Sequence, residues 1–325
     1  MKAWDDLTER GKFRRLRPLA VAALQRYDIV PQRLRFVGGF TNALYRVDTS
    51  DRAYALRVDY MQDHRDTDVD IEVAWLDALA ADTDLDVCRI VHAADGAPWV
   101  MAAAPGVPGE RRVTMFEWIP GKPIADALSP ERYHQLGRLA AGLHRHGAGF
   151  VPPHRPMEWN KVFYWPEEFD PVVHHLPEHA HHFTGDRRQV LEQTIAAVQP
   201  AFDRLDAAAA QVIHGDLHPW NVHAYRKRLI AFDFEDVAWG HPAQDVAITL
   251  FYERSNPMYG ELRVAFEEGY RTVALWPVAY EGELEHFMAA RTVMFVNFVL
   301  NLGGDQTEFY EVAFSRLRQF LATWT

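Results

Sequence analysis

Residues 212–221 read VIHGDLHPWN and residues 229–236 read LIAFDFED, and together they carry the most specific pattern in the chain. Asp216 is followed by Asn221 five residues later and by Asp233 twelve residues further on. A carboxylate held beside a hydroxyl group can orient it and take its proton. Asn and Asp supply the hard oxygen ligands that Mg²⁺ accepts while it keeps waters and phosphate oxygens. The spacing therefore indicates Asp216 as a catalytic base and Asn221 and Asp233 as metal ligands.

The same order of groups occurs in protein kinases, where a catalytic Asp is followed by an Asn and then by a metal-binding Asp. The segments HGDLHPWN and FDFED resemble the aminoglycoside phosphotransferase-like kinases, a superfamily that also holds choline, homoserine and methylthioribose kinases. The resemblance extends from about Gly38 to Asp245. It implies an α+β, bilobal protein-kinase-like fold, with a small antiparallel-sheet N-lobe and a mainly helical C-lobe.

The histidines of this segment admit a second interpretation, because His214 and His218 flank Asp216 in a pattern that can bind zinc. Metallophosphoesterases that contain Gly-Asp-x-His also need an earlier Asp-x-His and a later Gly-Asn-His. We find neither pattern, so the kinase-like interpretation is favoured. We expect His214 to shape the loop by packing and hydrogen bonding. Asp245 matches a family Asp that begins a helix and anchors the catalytic loop through backbone groups.

The composition is that of an ordinary globular protein of 325 residues, with 48% hydrophobic and 24% charged side chains. The net charge of −11 argues against nucleic acid or an anionic membrane as the partner and favours a neutral or cationic small molecule. The single cysteine, Cys88, excludes an intrachain disulfide and is consistent with a reducing compartment. The N-terminus lacks the apolar core of a signal peptide. We therefore expect a cytoplasmic protein without membrane spans.

The predicted elements change in type at residues 120–123, where the sequence PGKP follows an apolar strand. We predict an N-terminal nucleotide-binding lobe at 1–119 and a helical catalytic and acceptor-binding lobe at 120–325. Predicted strands cover residues 34–47 with a glycine turn, 53–58, 97–101 and 112–119, and predicted helices cover 16–27, 68–81, 131–146, 189–210, 262–275 and 283–302.

The nucleotide side is predicted from a glycine turn between two strands. Gly38 and Gly39, followed by Asn42, form a candidate loop over the phosphates, because glycine lets backbone N–H groups approach phosphate oxygens. Kinases normally place a lysine on the third strand, but no lysine occurs between residues 12 and 122. The resemblance assigns that role to Arg57, whose guanidinium suits phosphate, and makes Glu72 the partner that orients it.

Adenine recognition is expected from backbone groups at the end of the strand that leads into the linker. The resemblance places these groups at Glu117 and Ile119. Since backbone contacts have no residue-type signature, the sequence predicts only their position.

The acceptor region is expected within residues 157–182 and on the C-terminal helices. The stretch MEWNKVFYWPEEFDP at 157–171 suits either an amine cage or aromatic packing on the helices, and packing is favoured. Arg291, Asn297 and Asn301 lie on an apolar helix, where buried polar groups need partners. They face either a substrate or groups within the protein. Five histidines between 174 and 182 suggest metal binding, although a solvated loop is the favoured interpretation.

These observations predict a phosphotransferase that uses Mg²⁺ and ATP (or another NTP) and transfers the γ-phosphate to a small-molecule hydroxyl. The acceptor would be homoserine, an amino alcohol or an aminoglycoside. Two alternatives stay open: a protein Ser/Thr kinase of the bacterial stress-response type, and a nucleotide-binding regulator without turnover. The intact set of Asp216, Asn221 and Asp233 argues against the regulator.

Overall fold

The computed structural model describes residues 2–325, which divide into two compact units. The first unit comprises the chain up to Lys122 together with His223–Phe232. The second comprises Pro123–Val222 and Asp233–Thr325. The chain therefore returns once to the first unit, between the segments that hold Asn221 and Asp233. The lobe boundary at 119/120 stays a prediction.

The first unit is built on a five-stranded antiparallel sheet with the strand order β1-β2-β3-β5-β4. Its strands are β1 (Arg33–Gly39), β2 (Asn42–Asp48), β3 (Ala53–Asp59), β4 (Val100–Ala102) and β5 (Arg111–Glu117). Two helices accompany the sheet, α1 (Glu9–Leu24) and α2 (Asp66–Asp82). The predicted strands and the predicted glycine turn are present, although β4 is shorter than expected.

The core of this unit follows from the alternation of apolar residues along β2. Ala43, Tyr45 and Val47 are buried while their neighbours are less so, as period-two patterning requires. They share a hydrophobic cluster with Leu16 and Leu19 of α1. The packing of α1 on the sheet therefore follows from the helical spacing of apolar residues along α1 and from their alternation along β2.

The glycine turn between β1 and β2 contains two glycines with different steric surroundings. A Cβ on Gly39 would lie 2.6 Å from the carbonyl oxygen of Asn42 and 2.8 Å from the ring of Phe13. A Cβ on Gly38 would meet nothing within 4 Å. Gly39 is therefore required by the fold, whereas the space beside Gly38 is open.

The second unit is mainly helical. Its helices are α3 (Pro130–Gly147), α4 (Arg187–Asp203), α5 (Pro242–Phe251), α6 (Tyr259–Arg271), α7 (Glu283–Leu302) and α8 (Thr307–Trp324). The prediction for 283–302 is confirmed, and α8 was not predicted. The prediction for 189–210 is wrong at its end, because α4 stops at Asp203 and Asp206 caps a separate turn by accepting from Ala208 N at 2.9 Å.

Short strands lie directly before and after the segments that hold Asp216 and Asp233. One small sheet has the order β7-β11-β8, from Met157–Glu158, Ala238–Gly240 and Gln211–Ile213, and the other has the order β10-β9-β6, from Arg228–Ala231, Val222–Tyr225 and Lys122–Pro123. Strand β8 ends directly before His214, and β11 begins soon after Asp236. Because Ile213 pairs with Ala238, the sheet holds the two motif segments side by side.

None of the helices formed by residues 2–325 combines the length and the apolar character that crossing a bilayer requires.

The two glycines of the β1–β2 turn allow a matched test. We expect Gly39→Ala to lower the free energy of unfolding by about 1–3 kcal/mol, because the added methyl group overlaps a backbone carbonyl and a buried ring. Gly38→Ala should change it by less than about 0.5 kcal/mol. Thermal or urea unfolding of the two variants measures the difference, and equal stabilities would contradict the assignment.

Candidate active site

The loop that carries Asp216 is anchored by a buried carboxylate on α5. Asp245 accepts hydrogen bonds from the backbone N–H groups of His214 at 2.9 Å and Gly215 at 2.8 Å. His144 Nε2 donates to the same carboxylate at 3.1 Å. The other ring nitrogen, Nδ1, is hydrogen-bonded to the hydroxyl group of Tyr270 at 2.8 Å. The expected anchoring role of Asp245 is confirmed, and the anchor joins α3, α5 and α6.

The charge of Asp245 is held by these contacts. Burial alone would raise the pKa of its carboxyl group, but the hydrogen bond and the charge of His144, together with the backbone donors, hold the pKa below its ordinary value. Asp245 is therefore a carboxylate in the folded protein at neutral pH. A charged acceptor makes stronger hydrogen bonds to backbone N–H groups than a neutral one.

The segment with Asp233 packs directly against the Asp216 loop. Gly215 has a φ of 82°, and a Cβ there would lie 1.9 Å from the backbone oxygen of Asp236. The rings of His214 and Phe234 are 4.4 Å apart between centroids. Both contacts require a close fit of the two segments, and the expected packing role of His214 is confirmed.

Asp233 itself has an unusual backbone conformation. Its φ of 67° lies in the left-handed region, which is costly for a residue with a side chain and is tolerated best by Asp and Asn among such residues. Strain of this kind is concentrated at functional sites. It turns the chain sharply between β10 and the buried Phe234.

The carboxylate of Asp216 is surrounded by donors from three directions. Asn221 Nδ2 donates to its Oδ2 at 3.1 Å and to its backbone oxygen at 3.0 Å. His218 Nε2 lies 3.1 Å from the same Oδ2. Arg291 forms an ion pair with Oδ1. The Asp216 side chain nevertheless keeps 18% of its surface exposed, so it remains accessible to a small molecule.

The protonation state of Asp216 follows from these neighbours. Burial would raise the pKa of its carboxyl group, but His218 and Arg291 act against burial and hold the pKa at about 2. Asp216 is thus negatively charged at any physiological pH. Its basicity is weak, so it is better suited to orient a hydroxyl group and to take the proton late than to remove it beforehand.

The two ends of the Asn221 amide group are used differently. Its amide nitrogen is used by Asp216, and the opposite end of the same amide group presents an oxygen. That Oδ1 accepts no hydrogen bond from the described residues. An amide oxygen of Asn221 and a carboxylate of Asp233 match the ligand chemistry of Mg²⁺.

Two residues at this site were not assigned by sequence reasoning. Arg291 of α7 was recognised only as a polar residue in an apolar helix, and His218 had no assigned role. The structure brings both onto Asp216. Arg291 is 6% exposed and lies 4.8 Å from the Phe295 ring centroid. His218 Nδ1 accepts from Trp220 N at 3.2 Å, which places the ring proton on Nε2 beside Asp216.

The other candidate acceptor residues pair within the protein. Asn297 and Asn301 both donate to Asp170, at 3.3 and 2.6 Å, and to the backbone oxygen of Pro171. Trp159 and Tyr164 are buried and stack at 4.9 Å between centroids, which agrees with the packing interpretation.

Across residues 2–325 no group of three or more His, Cys, Asp or Glu side chains is arranged for a metal.

In the first unit, Arg57 and Glu72 form the expected pair. Arg57 Nη1 donates to Glu72 Oε1 at 2.9 Å, and Nη2 donates to Oε2. Glu72 is 1% exposed and Arg57 keeps 11% of its side chain exposed. The guanidinium group of Arg57 is thus held in place by the buried carboxylate of Glu72. That the pair serves a nucleotide stays a prediction.

The remaining nucleotide candidates lie at two ends of the same sheet. Gly38, Gly39 and Asn42 form the β1–β2 turn described above, while Glu117 ends β5. The N–H of Glu117 donates to Arg89 O at 2.9 Å. The N–H of Ile119 donates to none of the residues 2–325.

A sequence profile described as the phosphotransferase enzyme family (APH) matches residues 33–281, which is most of the chain. The chain belongs to this phosphotransferase enzyme family. The matched range includes the predicted nucleotide, catalytic and metal residues, from Gly38 to Asp233, whereas Arg291, Asn297 and Asn301 lie beyond it. As a member, the protein is a phosphotransferase, and the sequence-based assignment to this family is confirmed.

Two curated relatives of this phosphotransferase cover most of its length. An uncharacterized Synechocystis protein, sll1119, is 27% identical over 80% of this chain and 71% of its own length. Amicoumacin kinase of Bacillus subtilis is 24% identical over 81% of this chain and 76% of its own length.

Solved structures agree on the fold. The microcompartment-associated aminopropanol kinase has a TM-score of 0.75 at 23% identity, covering 94% of this chain and 95% of its own. Amicoumacin kinase hAmiN, in complex with AMP-PNP, Ca²⁺ and Ami, has a TM-score of 0.76 at 17% identity, covering 98% and 97%. The predicted α+β protein-kinase-like fold is thereby confirmed for this phosphotransferase.

The Asp245 anchor leads to a stability prediction. We expect Asp245→Asn to lower the free energy of unfolding by about 3 kcal/mol at pH 7, because an amide can neither pair with His144 as a charge nor accept from both backbone donors. Asp186→Asn is the control, because Asp186 pairs with Arg318 at an exposed site. This substitution should lower the free energy of unfolding by less than about 1 kcal/mol. Urea unfolding measures both, and equal losses would contradict the anchor.

The same anchor has a pH dependence. The pKa of Asp245 is lower in the folded than in the unfolded chain, so its stabilisation is present above the unfolded value of about 4 and is lost as the pH falls. The difference between wild type and Asp245→Asn should therefore shrink on acidification.

Proposed function

We propose that the protein transfers the γ-phosphate of ATP, with Mg²⁺, to the hydroxyl group of a small amino alcohol, and that Asp216 is the catalytic base. The observation that carries this proposal is the geometry around Asp216: an accessible carboxylate whose two oxygens are fixed by Asn221, His218 and Arg291. A base held in one orientation positions an attacking hydroxyl.

Asp216 acts mainly through orientation in this proposal. The phosphoryl transition state is loose, so little negative charge has to develop on the attacking oxygen before bond formation. A carboxylate with a pKa of about 2 can accept a hydrogen bond from the hydroxyl group throughout and receive its proton late. Arg291 and His218 keep the carboxylate ionised and prevent it from rotating.

The proposed metal ligands are Asn221 and Asp233. The amide of Asn221 is turned by its bonds to Asp216 so that its oxygen is available, and Asp233 lies at the sharp turn after β10. When bound, Mg²⁺ would neutralise charge on the nucleotide phosphates.

The proposed nucleotide groups lie in the first unit. Arg57, fixed by Glu72, supplies a permanent positive charge for the α- and β-phosphates. The open space beside Gly38 permits backbone N–H groups to approach a phosphate. The N–H of Ile119 and the carbonyl group of Glu117 would hold the adenine.

An amino alcohol is favoured as the acceptor for two reasons. The chain carries a net charge of −11, which gives the protein a net negative electrostatic field. Such a field attracts an ammonium group. The names of the aminopropanol kinase and of amicoumacin kinase also point to small hydroxyl compounds. The cytoplasm is the proposed location, since ATP is available there and Cys88 is a buried free thiol.

The proposal predicts which acceptors consume ATP. With Mg²⁺ present, we expect phosphorylated product from one or more amino alcohols in a panel that also holds aminoglycosides, homoserine, sugars and a generic protein substrate. Asp216→Asn should lower kcat by about a thousandfold while the dissociation constant for ATP changes little. Detection of the product by mass spectrometry and nucleotide titration measure the two effects.

Each alternative predicts a different outcome of this panel. Phosphorylation of the protein substrate alone would support a Ser/Thr kinase. Binding of ATP without any product would support a regulator. Full activity of Asp216→Asn would refute its role as the base.

Arg57 is tested by a conservative change. Arg57→Lys keeps the charge but loses one of the paired hydrogen bonds, so we expect KM for ATP to rise about tenfold, corresponding to about 1.5 kcal/mol for a charge-assisted bond. Arg52→Lys, at an exposed position before β3, is the matched control. Unchanged kinetics in both variants would exclude Arg57 from nucleotide binding.

A further inference from the structure

A second candidate binding site lies within the second unit. It is a cavity of about 360 Å³ between α7, α8 and the segment that follows α5. The volume is at the lower end of the range for ligand sites, so it suits a small molecule. Its apolar wall is formed by Met288, Leu317, Phe320 and Trp324.

Arg254 provides the first positive charge of this cavity. Its Nε donates to the backbone oxygen of Phe251 at 2.8 Å, and its Nη1 donates to Thr292 Oγ1 at 3.3 Å. Its Nη2 is buried and has no hydrogen-bond partner among residues 2–325. A buried donor without a partner is uncommon in folded proteins and indicates a missing water or ligand.

Arg316 of α8 provides the second positive charge on the same wall. Its Nη2 donates to Ser255 Oγ at 3.0 Å. Neither Arg254 nor Arg316 forms an ion pair with a carboxylate anywhere in residues 2–325. Burial, followed by repulsion from Arg316, lowers the pKa of Arg254 to about 9. Two partly buried cations side by side are costly unless an anion compensates them.

The acidic side chain on the cavity wall does not supply that compensation. Glu285 Oε1 accepts from Arg263 Nη1 at 2.6 Å, so its charge is already paired. Its Oε2 is buried without a partner and can accept from a hydroxyl or ammonium group of a ligand.

The cavity is also connected to the Asp216 site through α7. Thr292, which accepts from Arg254, follows Arg291 in the chain. Arg254 and Arg291 lie 3.8 and 5.7 Å from the centroid of the same Phe251 ring. A change of charge at Arg254 therefore reaches the residue that holds Asp216.

We propose that this cavity binds a small oxyanion, a carboxylate or a phosphate-like group, through Arg254 and Arg316. The hydroxyl group of Ser255 accepts from Arg316 and can donate to the same anion, whereas the Thr292 hydroxyl donates to the backbone oxygen of Met288 and holds Arg254 in place by accepting from it. Charge-assisted bonds to two arginines would supply both affinity and orientation. The cavity is lined only by residues of the second unit, whereas the nucleotide candidates belong to the first unit.

Selenate is the probe for this site, because it is an oxyanion that carries an anomalous scatterer. We expect crystals of the protein with AMP-PNP and selenate to show an anomalous peak between Arg254 and Arg316. In solution, calorimetry in the presence of saturating AMP-PNP should show saturable selenate binding, with Kd at least tenfold higher in Arg254→Met and in Arg316→Met.

Arg318→Met is the matched control, since Arg318 lies on the same helix but is paired with Asp186 outside the cavity. Its Kd for selenate should equal that of the wild type. If Arg254→Met does not fold, the selenate Kd of Arg316→Met still tests the proposal. Arg316 is only partly buried, so its replacement is expected to leave the fold intact. Selenate binding that is absent, or that survives in Arg316→Met, would overturn the proposal.

Kinetics distinguish two sources of the oxyanion. If it belongs to the phosphate acceptor, sulfate will raise the acceptor KM relative to chloride at equal ionic strength. If it belongs to a separate effector, sulfate will change kcat instead. Either effect should vanish in Arg316→Met. The binding measurements do not depend on turnover, so they test the cavity even if the proposed reaction is wrong.

Discussion

The second unit depends on one buried carboxylate. Asp245 accepts from two consecutive backbone N–H groups of the Asp216 loop and from His144 on another helix. Those N–H groups would otherwise be buried without partners, at a cost comparable to a lost hydrogen bond each. Because the acceptor is charged and lies on α5, its hydrogen bonds hold the loop backbone in place. The positions of Asp216 and Asn221 depend on that backbone.

Around this anchor, charge compensation determines what Asp216 can do. Arg291 is buried among aromatic rings, and its pKa is raised by Asp216 although burial acts in the opposite direction. The two charges therefore stabilise each other in a place where either alone would be expensive. For the proposed role of Asp216 as a base, so low a pKa favours positioning of the acceptor hydroxyl over early removal of its proton, in a reaction whose transition state requires little activation of the nucleophile.

Local patterns predicted the elements well where the hydrophobic period was long and uninterrupted. Helix 283–302 and strand β2 are examples, since their periodicity is visible within the segment itself. The end of α4 was mispredicted, because Asp206 caps a new turn that competes with continuation of the helix. The neighbours of Asp216 were harder still. Arg291 is 75 residues away in sequence, and no local pattern states which buried group an isolated arginine will meet.

Residue types and their spacing were enough to identify the family, because the segments that hold Asp216, Asn221 and Asp233 can be recognised without a structure. The catalytic and metal-binding roles of these three residues stay proposals. The Arg57–Glu72 pair was likewise accessible, since a strand arginine and a helix glutamate are a recurrent combination. Only tertiary structure decided that Arg291 and His218 hold the Asp216 carboxylate, that Asn297 and Asn301 serve the fold, and that Arg254 and Arg316 line one cavity in which neither is paired with a carboxylate. These outcomes depend on which distant helix faces come together, and that is set by the packing of the whole unit.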